Sequence, residues 1–514
     1  MGLFRSAGTP MVRMVLALLA GCCVSLSFAP VGFWPALPAG FLLHWHLLSR
    51  TETLKGTAGL GFCFGLGWFL PGLHWVLRSI VDFGGVPFVF GVAGLVLFAL
   101  FLSLSPVFAA LFAVRWRSMP AAYFLLALPL THTFMEAVRT DVVRFGWLAP
   151  AYATLDTWWR GWAPVGGVDG IHFAFFFCVG AVLYAVVTRE WLSKALSVAG
   201  LAAMVAAGWG LLQIEWSVSG ASTWFRLVQP GLIVTNRPNV AENAGRLEYV
   251  TDFVKAPWPQ ESAGHRATLL TESVITVPIT SLPREDFERL ATLTARADSP
   301  VLFAGLRYEH QSVFNTAFWL GEKGMLSKVD KRRLVPFGEY VPGLLRWLPE
   351  LFGVRIGDMT PGASEQPLQK VGDANVATLI CFENLFGTLL PDLFAEGDGP
   401  THLAVISNLG WFADAAKPQH LDISRLRALE AARPVLSVNN NGDSAVIDER
   451  GRVILRLPEE GGHVATVLVH GAQGTPTPFV RWGGFLRALL YLTVLLILFS
   501  LGQFSRKARR LNRL

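Results

Sequence analysis

Apolar residues dominate roughly the first 213 positions, return over 484–503, and alternate with polar residues between those two regions. In the first region the apolar runs cover 11–29, 31–48, 56–77, 88–114, 119–138, 165–188 and 192–213. A run of about 20 apolar residues is long enough to cross a bilayer as a helix. The pattern therefore predicts seven spans, and an eighth over 484–503. The second run is short and holds His44 and His46, so a re-entrant segment is a further reading of it. Three parts result: a membrane bundle over 1–213, a globular domain over 214–483, and a last span with a basic tail over 484–514.

The globular part alternates short apolar runs with amphipathic ones. Strands are predicted at 225–228, 232–234, 267–270, 301–305, 316–319, 376–380, 403–407, 435–438, 444–447 and 453–455. Helices are predicted at 244–254, 284–297 and 423–432. Strands interleaved with helices predict α/β layers around a buried sheet.

Charge adds an orientation. Arg5 and Arg13, Arg50 and Lys55, Arg115 and Arg117, Arg189 and Lys194, and the tail Arg506, Lys507, Arg509, Arg510 and Arg513 all fall on one side if there are eight spans. Basic residues favour the cytoplasmic side, so both termini are expected there and the globular domain on the other face. The basic flank of the first run also suits a signal peptide. The spans that follow at once favour an uncleaved helix. The net charge of +6 is thus mostly a topology signal, and its dispersal along the membrane edge gives no case for nucleic-acid binding.

Composition agrees. Hydrophobic residues make up 52% of the chain and charged ones only 16%, too apolar for an ordinary soluble protein. Four of the five cysteines, Cys22, Cys23, Cys63 and Cys178, lie in the apolar runs, so disulfides are not expected. Two edge connections hold ionisable residues, which are costly there unless paired or functional. One runs from Gly72, His74 and Trp75 through Arg78 to Gly85. The other runs from Glu136 and Arg139 to Trp147 and Tyr152. A Glu136–Arg139 pair one helical turn apart would be scaffold; substrate entry is the competing reading.

Only Cys381 lies in the globular part. A lone cysteine after an apolar run is ordinarily a small core residue. Two other polar groups change that reading. Glu272 follows the predicted strand 267–270, and Lys331 precedes a turn shaped by Pro336 and Gly338. A carboxylate can take the proton of a thiol, and an ammonium can stabilise an acyl-transfer oxyanion.

The run Lys331-Arg332-Arg333-Leu334-Val335-Pro336-Phe337-Gly338-Glu339-Tyr340, with Cys381-Phe382-Glu383 after it and Glu272 before it, resembles the carbon–nitrogen hydrolase (nitrilase) superfamily. With the predicted spans, and with Ser407-Asn408, Trp411-Phe412 and Arg425 to Arg433, the whole chain resembles its apolipoprotein N-acyltransferase family. The resemblance implies an α-helical membrane bundle of about eight spans and an αββα sandwich domain on the periplasmic side of a bacterial inner membrane. It implies Glu272 as general base, Lys331 as oxyanion stabiliser and Cys381 as nucleophile. Glu339, Glu383 and Phe382 would support them. Trp411, Phe412, Trp75 and Asn408 would meet substrate. The implied reaction moves an acyl chain from a phospholipid, through a Cys381 thioester, to the α-amino group of a diacylglyceryl-cysteine on a lipoprotein. No cofactor is implied, and no His/Cys cluster has metal-ligand spacing.

The chain departs from the family pattern in places. Leu270 and Thr271 stand before Glu272 where the family has a Trp-containing pair, and Leu409 replaces an Asp after Ser407-Asn408. Trp258-Pro259-Gln260-Glu261 imitates the motif, but no apolar strand precedes it, so Glu272 is the expected base. Two other activities remain in view: a membrane-tethered amidase acting on a small amide, and a channel or transporter with an appended domain. The first shares the reactive groups; the second needs charges along a path, and the predicted spans hold few.

Overall fold

The computed structural model describes residues 9–234, 240–262, 264–286, 288, 299–321, 324–347, 357–395, 397–459 and 461–511. The side chains of 240, 241, 344 and 497–511 are not described. The predicted helix at 284–297 lies mostly outside these residues, as do Arg5, Arg513 and the side chains of the other tail basics. Contacts divide the chain into two units. One is helical and comprises Met1–Leu77, Val89–Ile214 and Arg481–Leu514. The other comprises Glu215–Val480 and also takes in Arg78–Phe88.

The helical unit holds an apolar helix for every predicted span. Pro10–Leu26 and Ala36–Ser49, at 17 and 14 residues, are the short ones. Among the described residues five helices are long and apolar enough to cross a membrane, and a sixth if the bent pair Leu54–Gly72 and Val76–Phe83 is one broken span. Small residues set the packing. A Cβ on Gly21 would lie 2.0 Å from the Phe64 carbonyl oxygen, and one on Gly67 2.0 Å from that of Leu18. Such close backbone approach is how apolar helices associate without a hydrophobic driving force.

The edge charges of this unit are engaged with its own groups. Arg139 pairs with Glu136 at 2.5 Å and donates to the Phe145 and Trp147 carbonyls at 2.7 and 2.6 Å. Both side chains are buried, so the pair fits the scaffold reading. Arg487, on the last helix, pairs with Asp141 at 2.8 Å and Asp169 at 2.6 Å, fastening that helix to the bundle.

The second unit is built on two six-stranded sheets. The first contains β1 (Val218–Gln229), β2 (Arg266–Leu269), β3 (Val301–Glu309), β4 (Ser312–Gly321) and β5 (Gly324–Asp330). The second contains β6 (Gln369–Val371), β7 (Ala374–Ile380), β8 (His402–Ser407), β9 (Val435–Asn439), β10 (Ala445–Ile447) and β11 (Val453–Arg456). The last strand, β12 (His463–Gln473), returns to the first sheet beside β1, giving the order β12-β1-β2-β3-β4-β5 against β11-β10-β9-β8-β7-β6.

The sheets meet face to face through alternate side chains: Phe225, Leu227, Leu269, Leu302 and Trp319 from one, Val376, Ile380, Ile406 and Val438 from the other. The helix Val240–Lys255 covers the outer face of the first sheet with Leu247, Val250 and Val254. The helix Ala416–Ala431 covers the second with Leu421, Ala428 and Ala431. This is the αββα sandwich.

Two expectations are corrected. Residues 232–234 are not a strand, because Gly231 turns the chain at φ 65° and the Asn440 side chain takes both the N–H and the C=O of Leu232. The strands β5, β6 and β12 went unpredicted: β5 is half polar, β6 has three residues, and β12 mixes His463, Thr466 and His470 with its apolar positions.

Candidate active site

Glu272, Lys331, Cys381 and Asn408 each follow the C-terminal end of a strand. Strands β2 and β3 are parallel, and β5 runs the same way, since each of the pairs β3–β4 and β4–β5 is antiparallel. Strands β7 and β8 are likewise parallel. Ends that point one way leave a crevice beyond the sheet, the usual ligand position in open α/β sheets.

The turns that carry these groups are strained. Cys381 itself has φ 49°, Ser273 after Glu272 has φ 60°, and Phe337 before Glu339 has φ 61°. A non-glycine residue there costs on the order of 1–3 kcal/mol, and persists only where the surroundings over-determine it. At Cys381 the strained turn ends β7 and starts the short helix Cys381–Leu385, which fixes the direction of the thiol.

Four polar side chains converge. The Lys331 ammonium donates to Glu272 Oε1 at 3.0 Å and to Glu339 Oε1 at 2.9 Å. Asn315, on β4, donates Nδ2 to the same two oxygens at 2.9 and 2.7 Å. The second oxygen of Glu272 accepts the Asn408 N–H at 3.0 Å, and that of Glu339 the Val335 N–H at 2.8 Å. Lys331 is 1% exposed and Glu272 4%, so these interactions are shielded from water and salt.

Burial and charge set the proton positions. Burial, and then the neighbouring Glu272 carboxylate, push the Cys381 thiol well above its ordinary value, against the pull of Lys331. Burial alone would raise Glu272, but the Lys331 charge and the hydrogen bonds from Lys331, Asn315 and Asn408 hold it below the usual carboxylate range. Burial alone would lower Lys331, but Glu272, Glu339 and the cysteine keep it charged. The site therefore holds a neutral thiol beside an ionised carboxylate and a fixed cation.

Glu383 holds the frame. Fully buried, it accepts the Ile380 N–H at 2.8 Å on one oxygen and the Arg332 N–H at 2.7 Å on the other. Ile380 precedes the cysteine and Arg332 follows the lysine, so one carboxylate ties Cys381 and Lys331 together through their backbone neighbours. Phe382 is buried and meets Phe386 edge to face.

The other expected residues are more dispersed. Asn408 contributes its N–H to Glu272 and its side-chain oxygen to Asn440 at 3.2 Å. Trp411 is half-buried; Phe83 packs on its ring at 4.8 Å and the Ser79 hydroxyl donates to its carbonyl at 2.8 Å. The segment Arg78–Phe88 thus steadies the Trp411–Phe412 loop. Trp75 belongs to the helical unit, where it is buried against Trp147. Sequence reasoning missed Asn315, although an asparagine inside the apolar β4 is an unusual strand residue. It also missed His420, buried on Ala416–Ala431, where burial draws the imidazole down to about 4 against the opposing influence of the Cys381 backbone and the Glu272 charge.

Residues 20–181 match the family model described as apolipoprotein N-acyltransferase N-terminal domain, and residues 256–477 match that of carbon-nitrogen hydrolase. An apolipoprotein N-acyltransferase of Ralstonia nicotianae is 33% identical over 484 residues, covering 91% of this chain and 89% of that one. One of Vibrio cholerae is 28% identical, covering 92% and 94%. The chain belongs to the apolipoprotein N-acyltransferases. Among solved structures, an amidase from Nesterenkonia sp. is similar over 52% of this chain and 95% of its own, at 15% identity and a TM-score of 0.38. The alignments to these apolipoprotein N-acyltransferases run through both units, since they cover 91% and 92% of this chain.

Proposed function

We propose that this membrane enzyme takes an acyl chain from a glycerophospholipid onto Cys381 and passes it to the α-amino group of the N-terminal diacylglyceryl-cysteine of an apolipoprotein. The observation that carries the reading is the buried Glu272–Lys331–Glu339 cluster at the Cys381 thiol, in a chain whose relatives bear that enzyme name along nearly their full length.

The residues divide the work as follows. The lipid ester carbonyl approaches the thiol; Glu272 takes the thiol proton as the sulfur attacks. Lys331 neutralises the tetrahedral oxyanion. Glu272 returns the proton to the departing lysophospholipid oxygen, leaving a thioester. The lipoprotein amine then attacks the same carbonyl, Glu272 takes its proton and passes it to the departing Cys381 sulfur, and the free thiol and ionised carboxylate are restored. Glu339 and Asn315 hold Lys331 and Glu272 in place, and Glu383 holds Cys381 against the lysine loop. Trp411 and Phe412 line the way in.

Neither acyl substrate leaves lipid readily, so the apolar helices belong to the reaction as a lipid-facing platform. By the distribution of basic residues, the sandwich domain lies on the periplasmic face of the inner membrane. Labelling Ser273→Cys and Arg506→Cys in sealed vesicles tests this; reaction of both from the same side contradicts it. The function itself is tested by incubating the purified chain with phosphatidylethanolamine and a diacylglyceryl lipopeptide. The expected result is a lipopeptide heavier by one acyl group. Free fatty acid without N-acylated lipopeptide would point to a hydrolase instead.

A further inference from the structure

The outer face of the first sheet holds a cationic cluster that acyl transfer does not use. Arg226 on β1 and Thr268 on β2 are direct partners in a parallel register, and Trp224 pairs with Arg266 in the same way. Alternation along the strands puts Arg226, Thr268 and Arg266 on one face, away from Phe225 and Ala267, which enter the core between the sheets. Arg226 is 1% exposed and Thr268 fully buried. The indole of Trp258 covers the two arginines, its ring centre 4.2 Å from the Arg226 guanidinium carbon and 5.5 Å from that of Arg266.

Two members, Arg226 and Thr268, are under-satisfied. Nη1 of Arg226 donates to the Val254 carbonyl at 2.9 Å, in the last turn of Val240–Lys255, where a cation suits the helix end. Arg226 Nε and Nη2 and the Thr268 hydroxyl have no hydrogen-bond partner among the described residues, nor does any ion pair among them reach Arg226. A buried guanidinium facing a second arginine is costly unless a negative group joins it. Stacking on Trp258 recovers only part of that cost.

We propose that Arg226, Arg266 and Thr268 form a binding site for a small oxyanion such as inorganic phosphate, closed by Trp258. A planar guanidinium fork matches two oxygens of such an ion, and the threonine hydroxyl reaches a third. Burial beneath Trp258 favours a compact ligand. The site stands at the start of β2, whereas Glu272 lies beyond its end. It gives Trp258 a role outside the imitated catalytic motif.

The test is thermal unfolding of the full chain in detergent micelles, titrated with inorganic phosphate at constant ionic strength. A saturable rise in the midpoint is expected. Thr268→Val and Arg266→Gln should each weaken the apparent phosphate affinity about tenfold, the loss of one charge-assisted hydrogen bond. A parallel titration with glycerophosphoethanolamine separates the sources. A rise with phosphate alone identifies a free ion, and a rise with both identifies a headgroup phosphate in the same site. No saturable rise with either probe, or undiminished affinity in both variants, overturns the proposal.

Discussion

The Lys331 ammonium stands 3.0 Å from the Glu272 carboxylate, although the strands that carry them, β5 and β2, are separated in the sheet by β3 and β4. Only side chains leaving the same edge of the sheet can meet across that gap. Asn315 on β4 fills it, touching the carboxylates of both Glu272 and Glu339.

Loss of Lys331 should therefore damage both half-reactions. Each builds an oxyanion at the same carbonyl, and removing such a stabiliser costs about 10²–10³ in rate. Lys331→Ala also leaves two buried carboxylates without their cation, a destabilisation of roughly 3–5 kcal/mol. Single-turnover acylation and thioester transfer, measured separately beside a denaturation curve, check both statements. A variant slow in only one half-reaction contradicts the shared role.

Asn315→Leu should keep the fold and lose most activity. The substitution preserves volume but removes the donor shared by Glu272 and Glu339, so the carboxylates lose their common reference point. A fall of about tenfold to a hundredfold in kcat is expected for one lost charge-assisted hydrogen bond on each. Wild-type kcat with intact stability would show that Asn315 is only packing.

Much of this site was legible in the sequence, for physical reasons. Apolar runs at 267–270 and 376–380 end in polar residues, and chemistry gathers where buried strands surface. Asn315 was not legible, because its role depends on strands β2 and β5 being brought within reach of β4. Nor does a sequence give the left-handed turn at Cys381, or the grouping of Arg78–Phe88 with the sandwich unit. That segment's hydropathy is the same whether it lies at a membrane edge or against Trp411. The strand expected at 232–234 failed because a side chain, Asn440, supplies the hydrogen bonds that a neighbouring strand would have made.

Reaction of Cys381 with iodoacetamide should be slow at neutral pH and still be rising where an ordinary thiol has levelled off. Burial and the Glu272 charge raise the thiol, so little thiolate exists at rest. An inflection near pH 6 or 7 would mean a pre-formed thiolate–lysine pair and would remove the need for Glu272 as base.

Stability should fall on both sides of the neutral range. Glu272 is depressed in the folded state, so its contribution is present above the unfolded carboxylate value and lost as pH falls through the folded one. Lys331 is raised, so its contribution is present below the unfolded lysine value and lost as pH rises through the folded one. Unfolding midpoints across pH should fall on the acid and alkaline sides for wild type, and Lys331→Met should lose both of those slopes. Parallel curves contradict the assignment.

Glu339→Gln should slow both half-reactions, and by less than loss of Lys331 does. Glu339 touches Lys331, Asn315 and the Val335 N–H, which is the contact set of a positioning group. Full thioester formation followed by no transfer would instead make Glu339 a base for the incoming amine.

The central claim is that Cys381 carries the acyl chain between two lipid substrates. Intact mass of the purified chain tests it most directly, first with phospholipid alone and then with the lipopeptide acceptor. The account predicts one added acyl group on wild type, located at Cys381, labile to hydroxylamine, and discharged when the lipopeptide is added. Cys381→Ser should show no such adduct. Wild type that transfers acyl groups without passing through this adduct, or Cys381→Ser that transfers at the normal rate, would contradict it.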